Sequence, residues 1–184
     1  MAITTTNINT GGAVVKVNGT VASDPVDTSW WDVSGGTDIG CTTGGVSVTY
    51  TIETSDIYCD QVTAPVETAI TGETATVEFD MLESNAQNIG IVLGNQASEE
   101  DATDAYYVGV GGSTSITFMP LELLITDNDT GYLTKWLFFR TVAGGIEASF
   151  ERETPTAVGV TFTAYADADH ASGKQLFQIA QMKA

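Results

Sequence analysis

The sequence predicts a mainly β protein, an antiparallel sandwich or barrel with one short α-helix at about residues 84–94, and three observations carry that expectation. Apolar and polar residues alternate through Val46–Glu53 and again through Thr74–Met81, the period-two pattern of half-buried strands. Short strand-like runs recur through the second half of the chain, separated by Gly, Asp and Pro turn signals. A single stretch, after Met81, has helical spacing with a start and a stop. Many short strands with such spacing build sandwiches or barrels rather than parallel sheets. At 184 residues the chain is the size of one domain, and its 42% hydrophobic content separates it from disordered acidic tails.

Taken in order, residues 1–38 are rich in Thr, Gly and Asp, with turn signals at Asn18-Gly19 and Asp24-Pro25, and read as an N-terminal arm. Trp30 and Trp31 stand out in that polar segment, because large aromatics need a surface to pack on. They are expected to fold back on the core or on a neighbouring subunit. Residues 39–184 then form the β domain. In its first strand Val46, Val48, Tyr50 and Ile52 face one way, and Ser47, Thr49, Thr51 and Glu53 the other. In its second, Ala75, Val77, Phe79 and Met81 oppose Thr74, Thr76, Glu78 and Asp80. The intervening residues 54–73 are too many for a tight hairpin and hold Asp60, Gln61 and Pro65, so a projecting loop is expected, a second candidate for contacts between subunits.

The helix is read from Ser84 and Gln87 as a capping box, from Leu82, Ala86, Ile89 and Leu93 on one face, and from Gly94 as the C-terminal stop. An acidic loop with Glu99, Glu100 and Asp101 follows. Further strands are expected at 105–110, 114–126, 132–142, 146–153, 157–166 and 175–180, with Val158, Val160, Phe162 and Ala164 sharing a face.

Net charge is −18, but it is unevenly spread: Val17–Thr134 holds nineteen carboxylates and no Lys or Arg, while the residues from Lys135 onward are balanced. One surface is therefore expected to be acidic for a reason beyond solubility. The chain opens without a basic and then apolar leader, and runs such as Leu121–Ile125 are far too short to cross a bilayer, so no membrane partner is expected. Cys41 and Cys59 lack the spacing of a zinc or redox motif and read as thiols.

Catalytic chemistry finds little support. His170 sits in the polar run DADHASG and reads as an exposed turn residue. Asp127–Gly131 imitates the start of a calcium loop, yet Tyr132 and Phe138 stand where that loop requires Gly and Glu. GVGGS at 109–113 lacks the Lys of a phosphate loop, and no nucleophile elbow accompanies the serines. No enzyme activity, metal or cofactor is expected.

The order of elements is itself distinctive. CTTGGVSVTYTIE, a loop carrying Asp60-Gln61 and Pro65, GETATVEFDMLE and a short helix follow one another between Ile39 and Leu93, and this run resembles major tail tube proteins of tailed bacteriophages. WLFFRTVAGGIEASFERETPTAVGVTFTAYAD is similar to the later strands and closing hairpin of that family, so the resemblance covers roughly residues 39–180. It implies a tail-tube-like structural subunit that self-assembles with five other copies into rings, the rings stacking into a tube lined by a continuous β-barrel. Its partners would be itself, other phage tail proteins, and viral DNA that passes through during ejection without specific binding. Its place would be the virion tail, after assembly in the host cytoplasm. Type VI secretion tube proteins share the fold, so such a tube is an alternative. A carbohydrate-binding β-sandwich using Trp30 and Trp31 is a reading of a different class. On the tube reading Val48, Tyr50, Val77 and Phe79 point into the subunit core. Glu53, Glu78 and Asp80 then face the lumen, where carboxylates give DNA no sticking point.

Overall fold

The computed structural model describes residues 12–19, 36–94, 98–100, 105–112, 116–126, 132–150 and 156–183, and within them ten strands and one helix. In chain order these are β1 (Ala13–Val17), β2 (Thr37–Asp38), β3 (Thr42–Ile57), β4 (Glu67–Met81), α1 (Ala86–Val92), β5 (Ser98–Glu100), β6 (Ala105–Tyr107), β7 (Met119–Thr126), β8 (Tyr132–Ala148), β9 (Val158–Ala164) and β10 (Phe177–Lys183). Period-two sequence becomes period-two burial where a strand has one wet face: along β9 Val158, Val160, Phe162 and Ala164 are buried and the residues between them half-buried.

Eight strands form one sheet in the order β2-β1-β7-β8-β9-β4-β3, with β10 paired to β8, while β5 and β6 form a separate pair. Every pairing is antiparallel. Strand β8 belongs to two halves of the sheet. Its first part pairs β7 on one edge and β10 on the other, and Thr141–Ala148 pairs β9. A bulge between Ala143 and Gly145, with Gly145 at φ 151°, marks the passage from one half to the other. Val15, Val17, Leu121, Leu123 and Phe138 from the first half meet Val77, Phe79, Val160 and Phe162 from the second in one core cluster. Each such side chain contributes about 1.5–3 kcal/mol by leaving water. The sheet path begins at β2 and ends at β3, which are separated in sequence only by Ile39–Cys41, so the sheet curls round on itself without closing.

Several expectations are corrected. Residues 54–73 are not a loop: β3 and β4 continue as a paired ribbon until Ile57↔Glu67, leaving only 58–66 as the turn. The helix is capped one residue later than expected, by Asn85, whose side chain accepts from the Asn88 N–H at 2.8 Å, and its buried residues are Asn88, Gly90 and Val92 rather than the Leu82/Ala86/Ile89/Leu93 face. Asn88 wins that place because its amide donates to Ile39 O and Glu83 O, tying the helix to the entry of β3. Gly94, at φ +69°, is the helix stop as expected. Residues 132–148 are one bulged strand rather than two. Strand β1 lies inside the segment read as an arm, yet it pairs with β7 and its Val15 and Val17 are fully buried. His170 is 5% exposed, not a surface residue; its ring stacks on Phe139 with centroids 3.6 Å apart. Trp30, Trp31 and 127–131 lie outside the described residues.

Candidate functional site

Strand pairing puts β3, β4, β9 and the Val142–Ala148 part of β8 side by side as a four-stranded half-sheet. Residues directly opposite one another share a face, so register alone decides what each face carries. One cross-strand row is Ser47–Glu78–Thr161–Gly145 and the next is Thr43–Asp80–Gly159–Glu147. Thr49–Thr76–Thr163 and Thr51–Thr74 extend the same face, and Glu53 joins it opposite Gly72. The three acids expected together, Glu53, Glu78 and Asp80, are thus on one exposed face of one sheet. Glu147 completes the set; sequence reading missed it because the Gly144-Gly145 bulge breaks the alternation that would have assigned its side.

Two glycines let these carboxylates lie down on the sheet. A Cβ at Gly72 would stand 3.1 Å from Glu53 Oε2, and one at Gly159 3.2 Å from Asp80 Oδ1. The strands of this half-sheet contain no Lys or Arg. Its wet side is therefore a lawn of hydroxyls and carboxylates, with a depression of ≈ 580 Å³ among Thr43, Asp80, Glu147, Gly159 and Thr161. Among the described residues no three His, Cys, Asp or Glu converge on a point that could hold a metal ion.

The opposite side of the half-sheet is the core, reached by Val77 and Phe79 as expected, with Val46 and Val48 packed against it. Tyr50 departs from expectation. It stays 42% exposed, because β9 ends at the Ala75↔Ala164 pair and no described strand but β4 pairs β3 beyond that level; its hydroxyl instead donates to Glu73 Oε1. From that level Thr51–Ile57 and Glu67–Thr74 run on as a two-stranded ribbon, and Ile52, Ile57, Tyr58, Val62, Val66 and Ile70 are all exposed, Ile70 at 64%. Asp60, Gln61 and Pro65 sit exposed at its tip. A bulge at Thr71 re-aims the ribbon as it leaves the domain. An isolated two-stranded ribbon is marginal in water, and six bare apolar side chains along it are a surface awaiting cover.

Both edges of the half-sheet are open among the described residues. Among the described residues β3 pairs only with β4, and Val142–Ala148 only with β9. Four antiparallel strands are an even number, so these edges run in opposite directions. Cys41 and Cys59 flank opposite ends of β3, which is itself about 50 Å long at about 3.3 Å per residue, and both are free within the chain. No helix among the described residues is long and apolar enough to cross a membrane.

A family profile described as phage tail tube protein matches residues 9–178. Among solved structures, the crystal structure of Hcp1 from Salmonella typhimurium aligns over 94% of this chain and 95% of its own at 9% identity, with a TM-score of 0.37. The baseplate of the anti-feeding prophage, solved by cryo-electron microscopy and six-fold symmetrised, aligns over 100% of this chain and 98% of that one at 10% identity and a TM-score of 0.44. No curated protein matches the chain.

Proposed function

The chain belongs to the phage tail tube protein family, and from that membership we propose that its four-stranded half-sheet is the repeating wall element of a ring. It is a structural component of the virion tail. The observation that carries the ring is the pair of open, oppositely directed edges. When β3 of one copy is brought beside Val142–Ala148 of the next by rotation alone, the new pairing is antiparallel like every other in the sheet, and repetition closes a barrel without leaving an edge. Six copies, stacked rings and association with other tail proteins follow the family resemblance.

In such a barrel the hydroxyl and carboxylate face turns to the lumen, since the other face is already the subunit core. Glu53, Glu78, Asp80 and Glu147 then recur in every copy as bands of negative potential. A basic wall would hold phosphates and release counterions; this wall lets duplex DNA pass without specific binding during ejection. The ribbon, with Asp60, Gln61 and Pro65 at its tip, and the segment carrying Trp30 and Trp31 supply contacts between copies. Assembly takes place in the host cytoplasm, and the subunit itself performs no reaction.

Electron microscopy of the purified protein at high concentration tests the ring: hollow rings or tubes are expected without cofactors, and a persistent monomer sinks the reading. The lumen is tested with virions carrying Glu78→Lys and Asp80→Lys together. Tubes should form while DNA ejection slows, more so at low salt; ejection at the wild-type rate removes these residues from the channel wall. Trp30→Ser with Trp31→Ser should leave the subunit folded and weaken its assembly, and unchanged assembly would exclude a role for them.

A further inference from the structure

The half-sheet carries a knob at one end and a hole at the other. The knob is Phe150. It lies two residues beyond the Ala148↔Val158 pair, at the end of the half-sheet away from the ribbon, and is 82% exposed, the largest value among the exposed apolar side chains described. Nothing among the described residues explains an almost naked phenyl ring on a chain this acidic. The hole is a groove of ≈ 770 Å³ at the opposite end, where β9 finishes and the ribbon begins, lined by Tyr50, Glu73, Ala164, Tyr165, Leu176 and Phe177. Its aromatic wall is fixed in place. Phe177 stacks on Trp136 with centroids 5.8 Å apart and meets Tyr50 edge-on at 5.6 Å, and Tyr50 is held by its hydrogen bond to Glu73. Strand β9, seven residues long, separates the two ends by about 20 Å at about 3.3 Å per residue.

We propose that Phe150 of one copy of this chain inserts into the Tyr50–Tyr165–Phe177 groove of a second copy in the next ring along the stack. The proposal rests on the ring reading above and adds the residues that join one ring to the next. Knob and hole lie at opposite ends of the same sheet, so the contact is heterologous and head-to-tail, and its repetition yields an open stack rather than a closed dimer. One phenyl side chain buries on the order of 200 Å², far below the roughly 1,200–2,000 Å² of a stable pairwise interface. The contact is therefore too small to pair free subunits and becomes effective only when a completed ring presents every copy at once. Ring formation precedes stacking on this account.

The test compares wild type, Phe150→Ala and Ala166→Trp, which fills the exposed side of the groove, by electron microscopy over a concentration series, with urea unfolding as a check on the fold. Phe150 and Ala166 are exposed, so both variants should fold as wild type does. Expected are single rings or short stacks from both, with tubes appearing only at about tenfold or more higher concentration. Tubes of normal length at the wild-type concentration from Phe150→Ala overturn the contact while leaving the ring intact. Loss of rings themselves in Phe150→Ala also overturns it, because Phe150 would then act within the ring. Wild-type protein that forms no rings removes the proposed function, and this contact with it.

Discussion

Phe79 and Phe150 are the same residue type at opposite extremes. Phe79 is buried and stacked on Phe162 with centroids 6.0 Å apart. Phe79→Ala should therefore cost about 3–5 kcal/mol, by lost transfer energy and the cavity left behind, read as a fall in the urea midpoint. Phe150→Ala should change the unfolding free energy by no more than about 0.5 kcal/mol, leaving that midpoint nearly where it was. Tyr50 gives a pH signature. Donation of its hydroxyl to Glu73 raises its pKa above the usual 10.0, with burial and the Glu73 charge adding in the same direction. The stabilising bond is thus complete below pH 10 and is lost as pH rises through the higher folded value. One tyrosine should form phenolate later than the rest in an alkaline absorbance titration, and Glu73→Gln should abolish the delay; an unchanged titration would refute the bond. His170 shows where residue-level reading stops. Its neighbours in sequence are polar, but the strand position of Phe139 supplies the stacking surface, and that pairing is set by tertiary packing alone.

At the level of elements, β4 and β9 were legible because each has one face in the core and one in water. The ribbon was not. Beyond Tyr50 both its faces meet solvent, so burial imposes no period, and after Glu53 the run Thr54-Ser55-Asp56-Ile57 has no pattern that alternation could reveal. The same physics makes the ribbon dispensable for folding. Ile52→Ser combined with Ile70→Ser should change the unfolding free energy by no more than about 0.5 kcal/mol per site, so that the urea midpoint hardly moves, yet prevent long tubes from forming. A large loss of stability instead would mean that the ribbon packs on its own domain. The face of acids was legible apart from Glu147, since period two survives register errors of two residues but not a bulge. The arm was only partly so: five residues of it, Ala13–Val17, carry the apolar alternation of a core strand, Val15 and Val17 inward, too short a run to stand out from its surroundings.

For the whole molecule, a formal net charge of −18 means that every copy added to a ring repels those already there. Assembly should accordingly be promoted by ionic strength: tubes should form at lower protein concentration in about 0.5 M than in about 0.02 M sodium chloride, as screening shortens the range of that repulsion. Equal thresholds would show that the carboxylates lie too far apart in the tube to matter. Strand β8 adds a constraint in time. Its last residues become a usable edge only once β9, the next strand in the chain, has paired on their other side, and β9 in turn needs β4, joined to it across some eighty residues of intervening chain. Pairings between such distant segments form slowly and late. A partly folded chain therefore has no finished rim to offer, and growth of the polymer selects for completed subunits by default.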